Sequence, residues 1–153
     1  MFVMFTSIGH AESKGTLTVA GKPVALNNVY AYLVKGFFDP KKDDTVVVMA
    51  DAPMTDAVAR DSFARNALVA QGKLHYVEVT IDQKGQIVNF KVGHNAFQYA
   101  PGGGSTEHQF APKVRDGKTI SGTVFTVGPQ KGPLDGPAYD YKIEFSTPLQ
   151  PKK

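Results

Sequence analysis

The sequence predicts a mainly β protein, an antiparallel β-sandwich or open barrel of about eight strands with one helical crossover. Three observations support this prediction. Apolar and polar residues alternate through most of the chain, as in strands with one buried face. Gly and Pro, 15 and 10 of the 153 residues, cluster between the alternating runs as they do in turns. Apolar residues recur at helical spacing in a single segment, between Pro53 and Gly72.

The first predicted hairpin turns at Gly21 and Lys22. A two-residue loop with Gly at its first position is typical of a type II′ turn. Counting outward from this turn pairs Val19 with Val24 and makes one face of the hairpin uniformly apolar.

Two further runs, residues 29–34 and 45–50, are apolar on both faces. In the first run, Tyr30 and Tyr32 lie on one face and Val29 lies on the other. Strands that are apolar on both faces are buried on both, so these runs are predicted to be central in their sheet.

The helical segment is predicted to begin after Thr55, a favourable N-cap, and to end at Gly72. It covers about fifteen residues, and Asp61 offers a point at which the helix can restart. The apolar positions at helical spacing are Ala59, Phe63, Ala67 and Ala70.

The second predicted hairpin turns between Asp82 and Gly85, which suit the first and fourth positions of a type I turn. Pairing these two residues places His75 opposite Val92. His94 then lies on the same face as His75, diagonally across the two strands, at a separation of about 7–8 Å.

Three more predicted strands complete the fold, at residues 106–112, 119–127 and 139–147, with long loops at 95–104 and 128–137. Three acidic residues alternate with apolar neighbours and are predicted to face outward, so they do not suggest a pair of catalytic carboxylates. They are Glu78, Glu107 and Glu144.

Four segments resemble those of small exported bacterial domains of uncharacterised function: Gly15–Val19 (GTLTV), Lys35–Pro40 (KGFFDP), Thr45–Val48 (TVVV) and Ile120–Val124 (ISGTV). The resemblance extends over most of the chain after Ser13. It implies export and a β-rich fold, and it implies no activity and no site residues.

The N-terminus also indicates export. Residues 1–8 are largely apolar, and Gly9 and Ala11 occupy the −3 and −1 positions of a cleavage site before Glu12. We therefore expect residues 1–11 to be the end of a secretory signal, residues 12–150 to be one domain, and the protein to be periplasmic or secreted. The alternative is an N-terminal strand buried in the core. A run of eight residues is too short for a transmembrane helix, which needs about 20.

Composition excludes several classes of function. The chain has no Cys, so disulfides, Cys-ligated zinc, iron–sulfur clusters and thiol chemistry are excluded. The net charge is only +3 and like charges form no long run, so nucleic acid is not an expected partner. The sequence lacks the Gly-x-Ser-x-Gly and His-Glu-x-x-His motifs, and Gly102–Thr106 lacks the Lys of a phosphate-binding loop. No enzyme class is therefore predicted.

Histidines provide one candidate site. The hairpin register places His75 and His94 on one face, and His108 shares its face with Phe110 on the next strand. Three converging imidazoles and a water could bind zinc or copper, and a periplasmic metal-binding protein is the alternative function. The competing interpretation is that each histidine lies at the edge of the core, with one ring nitrogen hydrogen-bonded to backbone.

Aromatic residues in loops provide the other candidate site, made of Phe37, Phe38, Phe97 and Tyr99. Binding residues concentrate in loops, and exposed aromatic side chains favour contact with another molecule. The leading prediction is therefore a non-enzymatic exported domain that binds a protein or envelope partner through its loops. The competing interpretation is that these rings fold back over one end of the sandwich.

Overall fold

The computed structural model describes residues 11–153 and is mainly β, with 54% strand and 12% helix. A curled, open sheet of eight strands forms a half-barrel that carries two helices. The predicted fold class is confirmed. The proposed signal segment lies outside the described residues, except for Ala11. No helix in the described part of the chain is long and apolar enough to cross a membrane.

The strands are β1 (Glu12–Val19), β2 (Lys22–Ala25), β3 (Asn28–Lys35), β4 (Asp43–Ala50), β5 (Tyr76–Ile81), β6 (Ile87–Gly93), β7 (Gly102–Gly103), β8 (His108–Arg115), β9 (Thr119–Thr126), β10 (Gln130–Gly132) and β11 (Gly136–Gln150). The helices are α1 (Asp56–Arg60) and α2 (Ser62–Ala70), and a short 3₁₀ turn precedes β11 at Pro133–Asp135.

The long strand β11 organises the sheet. The main path runs β2-β1-β11-β3-β4-β5-β6-β7, while β9 pairs with β11 and carries β8. Within residues 11–153, all pairings are antiparallel except that of β11 with β3, which joins Leu149 to Ala31 and Gln150 to Tyr32. Because β11 pairs with β1, β3, β9 and β10, it links the two halves of the curled sheet.

The concave interior holds the main apolar core, and a second, smaller core lies on the other face of β3, β4 and β5 beneath the helices. Val29 and Ala31 belong to the main core, whereas Tyr30 and Tyr32 belong to the second. The predicted central strands with two apolar faces are therefore confirmed.

Both predicted hairpin registers differ from the structure by two positions. In the first hairpin the turn is formed by Ala20 and Gly21, whose φ angles are 51° and 77°. Two positive φ angles are typical of a type I′ turn, which matches strand twist. Val19 therefore pairs with Lys22 and not with Val24. A shift of two residues keeps every side chain on its predicted face.

The second hairpin contains an irregularity opposite Thr80 and Ile81, where β6 carries an extra residue. Gly85 has a φ of 82°, as a glycine does in a turn that leads into a bulge. As a result Tyr76 pairs with Gly93, and His75, one position earlier, lies opposite His94 and not Val92.

The predicted helical segment forms two helices, with the predicted cap at Thr55 and the predicted restart at Asp61. The Thr55 hydroxyl accepts the N–H of Val58, and the Asp61 carboxylate accepts two N–H groups at the start of α2. The predicted apolar face of the segment is wrong beyond Ala59, because Phe63 is 86% exposed. Ala67 and Ala70 are also exposed.

The buried residue of α2 is Arg65, which pairs with Glu78 of β5 and donates to the carbonyls of Val58 and Ala59. The prediction that Glu78 faces solvent is wrong, because α2 covers this face of β5. Glu107 and Glu144 are exposed as predicted.

Candidate binding cleft and histidine cluster

A cleft of about 690 Å³ lies between the first residues of β6 and those of β8. Here the chain leaves the edge of β6 after Gly103, crosses to the other half of the sheet and joins β9 as β8. Across the residues described, β6 pairs with β7 at only two positions, and β8 pairs with β9 alone. The cleft is therefore an open seam between two strands that do not pair with each other.

One stacked pair of rings joins the two sides of this seam. The His108 imidazole of β8 lies on the Phe90 ring of β6, with centroids 3.6 Å apart and an interplanar angle of 13°. Both residues are buried. The position of β8 relative to β6 is thus fixed at this level of the seam.

Among the residues that the structure describes, those around the cleft include no Asp, Glu, Lys or Arg side chain. Apolar rings and aliphatic groups alternate there with glycines, hydroxyls and amides. The lining residues are Phe38, Gly85, Gln86, Ile87, Val88, Gly104, Ser105, Thr106, His108, Gln109 and Phe110. A groove of this composition suits an uncharged ligand, because burying an unpaired charge is costly.

Phe38 lies at the rim of the cleft, next to the exposed ring of Phe37. The Phe37 and Phe38 side chains are 71% and 75% exposed, and their rings meet edge to face with centroids 4.8 Å apart. Phe38 also lines an adjoining cleft of about 400 Å³, which contains several charged residues. Phe38 therefore stands between a charged and an uncharged depression.

The loop that carries these phenylalanines is held by specific contacts. The buried Asp44 carboxylate accepts the N–H of Phe37 at 2.9 Å, and Gly36 donates to the carbonyl of Lys42 at 2.8 Å. A Cβ atom at Gly36 would collide with the carbonyls of Asp39 and Lys42. The exposed rings are thus presented by an ordered turn.

The other two predicted contact residues do not join this surface. Phe97 is only 9% exposed and belongs to the main core, where its ring meets Tyr139 edge to face at 5.7 Å. Its assignment to a binding surface is wrong. Tyr99 is 54% exposed, but its loop follows the end of β6, whereas Phe38 adjoins the beginning of that strand. The four aromatic residues therefore do not form one surface.

A second groove of about 830 Å³ lies between the first residues of β1 and the middle of β8. Its lining includes charged residues of both signs, Glu12, Lys14, Lys113 and Glu144. This groove differs from the seam between β6 and β8 in the charged residues of its lining.

His75 and His94 lie together at the opposite end of β5 and β6. Their ring centroids are 4.5 Å apart. Asp51 follows β4 and contacts His75 twice, accepting its backbone N–H and meeting its ring Nδ1, both at 2.7 Å. The Nδ1 atom of His94 accepts the N–H of Ala96 at 3.0 Å.

His108 lies elsewhere, inside the core. Its Nδ1 is 2.7 Å from the Tyr141 hydroxyl, and its Nε2 is 3.5 Å from the Tyr139 hydroxyl. Burial lowers the pKa of His108 from 6.5 to about 4. Burial also raises the pKa of Tyr139 to about 12, and burial raises the pKa of Tyr141 above its usual value. All three groups are therefore neutral near pH 7.

The predicted convergence of three histidines at one rim is wrong. Both ring nitrogens of His108 face tyrosines, and in residues 11–153 no group of three or more His, Cys, Asp or Glu side chains is arranged to hold a metal ion. The sequence did not reveal Asp51 as a partner of His75, although an acidic residue directly after a buried strand was a usable signal.

The cleft could not be predicted from the sequence, because it depends on where the chain crosses between the two halves of the sheet. Gly102, Gly103 and Gly104 marked this crossing as a flexible loop, and no local pattern indicated which strands it would separate. No protein-family model matches the chain, and no curated protein or solved structure matches it either.

Proposed function

We propose that this chain is an exported, non-enzymatic binding domain, periplasmic or secreted, whose ligand is a short extended segment of a protein partner. The segment would enter the seam between β6 and β8, with Phe38 against its outer side. One observation carries the proposal: in the described part of the chain, two strands that do not pair with each other flank a cleft whose lining includes no Asp, Glu, Lys or Arg.

Backbone chemistry supports an extended peptide as the ligand. Unpaired strand edges present N–H and C=O groups that readily pair with another chain. In β-strand addition, these backbone hydrogen bonds provide affinity, and pockets for alternate side chains provide specificity. The seam offers such edges, and its apolar lining consists of the half-buried Val88 with the buried Ile87 and Phe110 beneath it.

The composition of the cleft limits what the peptide can carry. None of the described residues that line the seam is a lysine, arginine, aspartate or glutamate. A charged residue entering it would therefore lose water without gaining a partner among them. We therefore expect the bound segment to be uncharged and to include at least one apolar side chain that contacts Phe38.

This expectation is tested by selecting random peptides on the immobilised domain at pH 7.5 and measuring the affinities of the enriched sequences. The selected peptides are expected to share a short uncharged core rich in β-branched or aromatic residues. Their affinity should fall about tenfold or more in Phe38→Ser, since hot spots at interfaces are often aromatic.

Phe63→Ser is the matched control, because Phe63 is an exposed phenylalanine on α2, away from the cleft. The affinity of the Phe63→Ser variant for the selected peptides should equal that of the unaltered protein. Failure to enrich any peptide, or equal losses in the two variants, would contradict the proposed function.

A further inference from the structure

The loop that leaves β6 is tied to the sheet through His94. The ring Nδ1 of His94 accepts the N–H of Ala96, two residues later, in the manner of an Asx turn. Next in the chain, Phe97 inserts into the core, and Pro101 accepts the N–H of Val92 at 2.9 Å. The segment 95–101 therefore depends on few attachments, one of which requires a ring nitrogen without a proton.

The same segment leads into one wall of the proposed binding cleft. It continues through β7, which pairs with β6 at Phe90 and Lys91 only, and then through Gly104, Ser105 and Thr106, which line the seam. Because β7 has two residues and both are glycines, this pairing alone is a weak support for the wall.

The surroundings of His94 favour its neutral form. Burial lowers the pKa of His94 from its usual value, the neighbouring His75 lowers it further, and Asp51 opposes both effects. These two groups come from the start of β5 and the end of β4. On the remaining side lies Phe97, and behind it Tyr139 of β11.

We infer that His94 is an acid-sensitive latch, whose protonation breaks the bond from Ala96 and loosens the segment 95–106 that walls the cleft. A protonated Nδ1 carries a hydrogen and cannot accept a second N–H donor. The latch is closed above the pKa of a free histidine and opens as the pH falls through the lower pKa of the folded protein.

The latch itself is a property of the free domain, and only its consequence for ligand release rests on the proposed function. We expect the protein to bind its partner at neutral pH and to release it in acid. The charge change that drives this release lies at His94, at the opposite end of β6 from Phe38.

The test is amide hydrogen exchange of the full chain without any ligand, at pH 7.5 and pH 5.0, corrected for the intrinsic effect of pH on exchange. At pH 5.0 His108 is still mostly neutral, because burial lowers its pKa to about 4. We expect protection of residues 96–104 to fall by about threefold or more at pH 5.0, while amides of β4 and β5 remain protected.

His94→Asn is the matched variant, since an asparagine oxygen can accept the Ala96 N–H in the same turn and does not titrate. Its residues 96–104 should be equally protected at the two pH values. The inference is overturned if the unaltered protein shows no selective loss at pH 5.0, or if His94→Asn shows the same loss. Because no peptide is used, failure of the latch is separate from failure of the proposed function.

Discussion

Replacing Arg65 with Ala is expected to lower the free energy of unfolding by about 3–5 kcal/mol, the usual cost of removing one partner from a buried ion pair. The Arg65 side chain is 1% exposed, and that of Glu78 is 9% exposed. Removal of the guanidinium would leave the Glu78 carboxylate buried without a counter-charge. It would also remove the donor to the carbonyl of Ala59 and the cation above the Tyr76 ring.

Urea denaturation at pH 7 measures this effect, and a double variant controls for it. Replacing Arg65 with Met and Glu78 with Leu removes both charges together, and such apolar replacements are often neutral or stabilising. The Arg65 Nε already lacks a hydrogen-bond partner among the residues that the structure describes, so the native pair is incompletely satisfied. If the double variant were as unstable as Arg65→Ala, the loss would come from packing and not from the unpaired carboxylate.

Acidification from about pH 6.5 to pH 4 is expected to remove about 3 kcal/mol of stability through His108 alone. Burial lowers the pKa of this histidine from 6.5 to about 4, so between these values the unfolded chain binds a proton that the folded chain does not. The stability that the neutral ring provides is complete above the unfolded pKa. It decreases as the pH falls toward the folded value.

His108→Phe removes the titrating group and keeps an aromatic ring against Phe90. This variant will be less stable at neutral pH, because the Tyr141 hydroxyl loses its partner. The informative quantity is the slope of unfolding free energy against pH, which should become shallower by the His108 contribution. An unchanged slope between pH 6.5 and pH 4 would mean that His108 is not the group responsible.

Local sequence patterns were sufficient for most of the fold. Alternation identified the longer strands and their faces, Thr55 was recognised as a helix cap, and Asp61 was recognised as a point of restart. The short strands β7 and β10 lie in segments that were predicted as loops. The registers of the two hairpins were missed, because Ala20 adopts a positive φ that its identity does not suggest, and because β6 carries an extra residue.

Long-range packing explains the remaining differences. Glu78 alternates with apolar residues like an outward-facing strand residue, but α2, the element that precedes β5, folds over it and supplies Arg65. Phe97 lies in a segment whose Gly and Pro residues predict a loop, yet Tyr139 of β11 provides a surface that buries it. Phe38 was identified as a candidate contact residue, while the seam beside it depends on strands that meet only in three dimensions.

If the seam between β6 and β8 binds an extended uncharged peptide, an NMR titration with a selected peptide should show it at the level of single residues. We expect saturable shifts of amide signals in residues 86–88, 104–106 and 108–110. We also expect intermolecular contacts between the peptide and the Phe38 ring. Shifts confined to the charged groove near Glu12 and Lys113, or no saturable shift, would rule out the seam as the binding site.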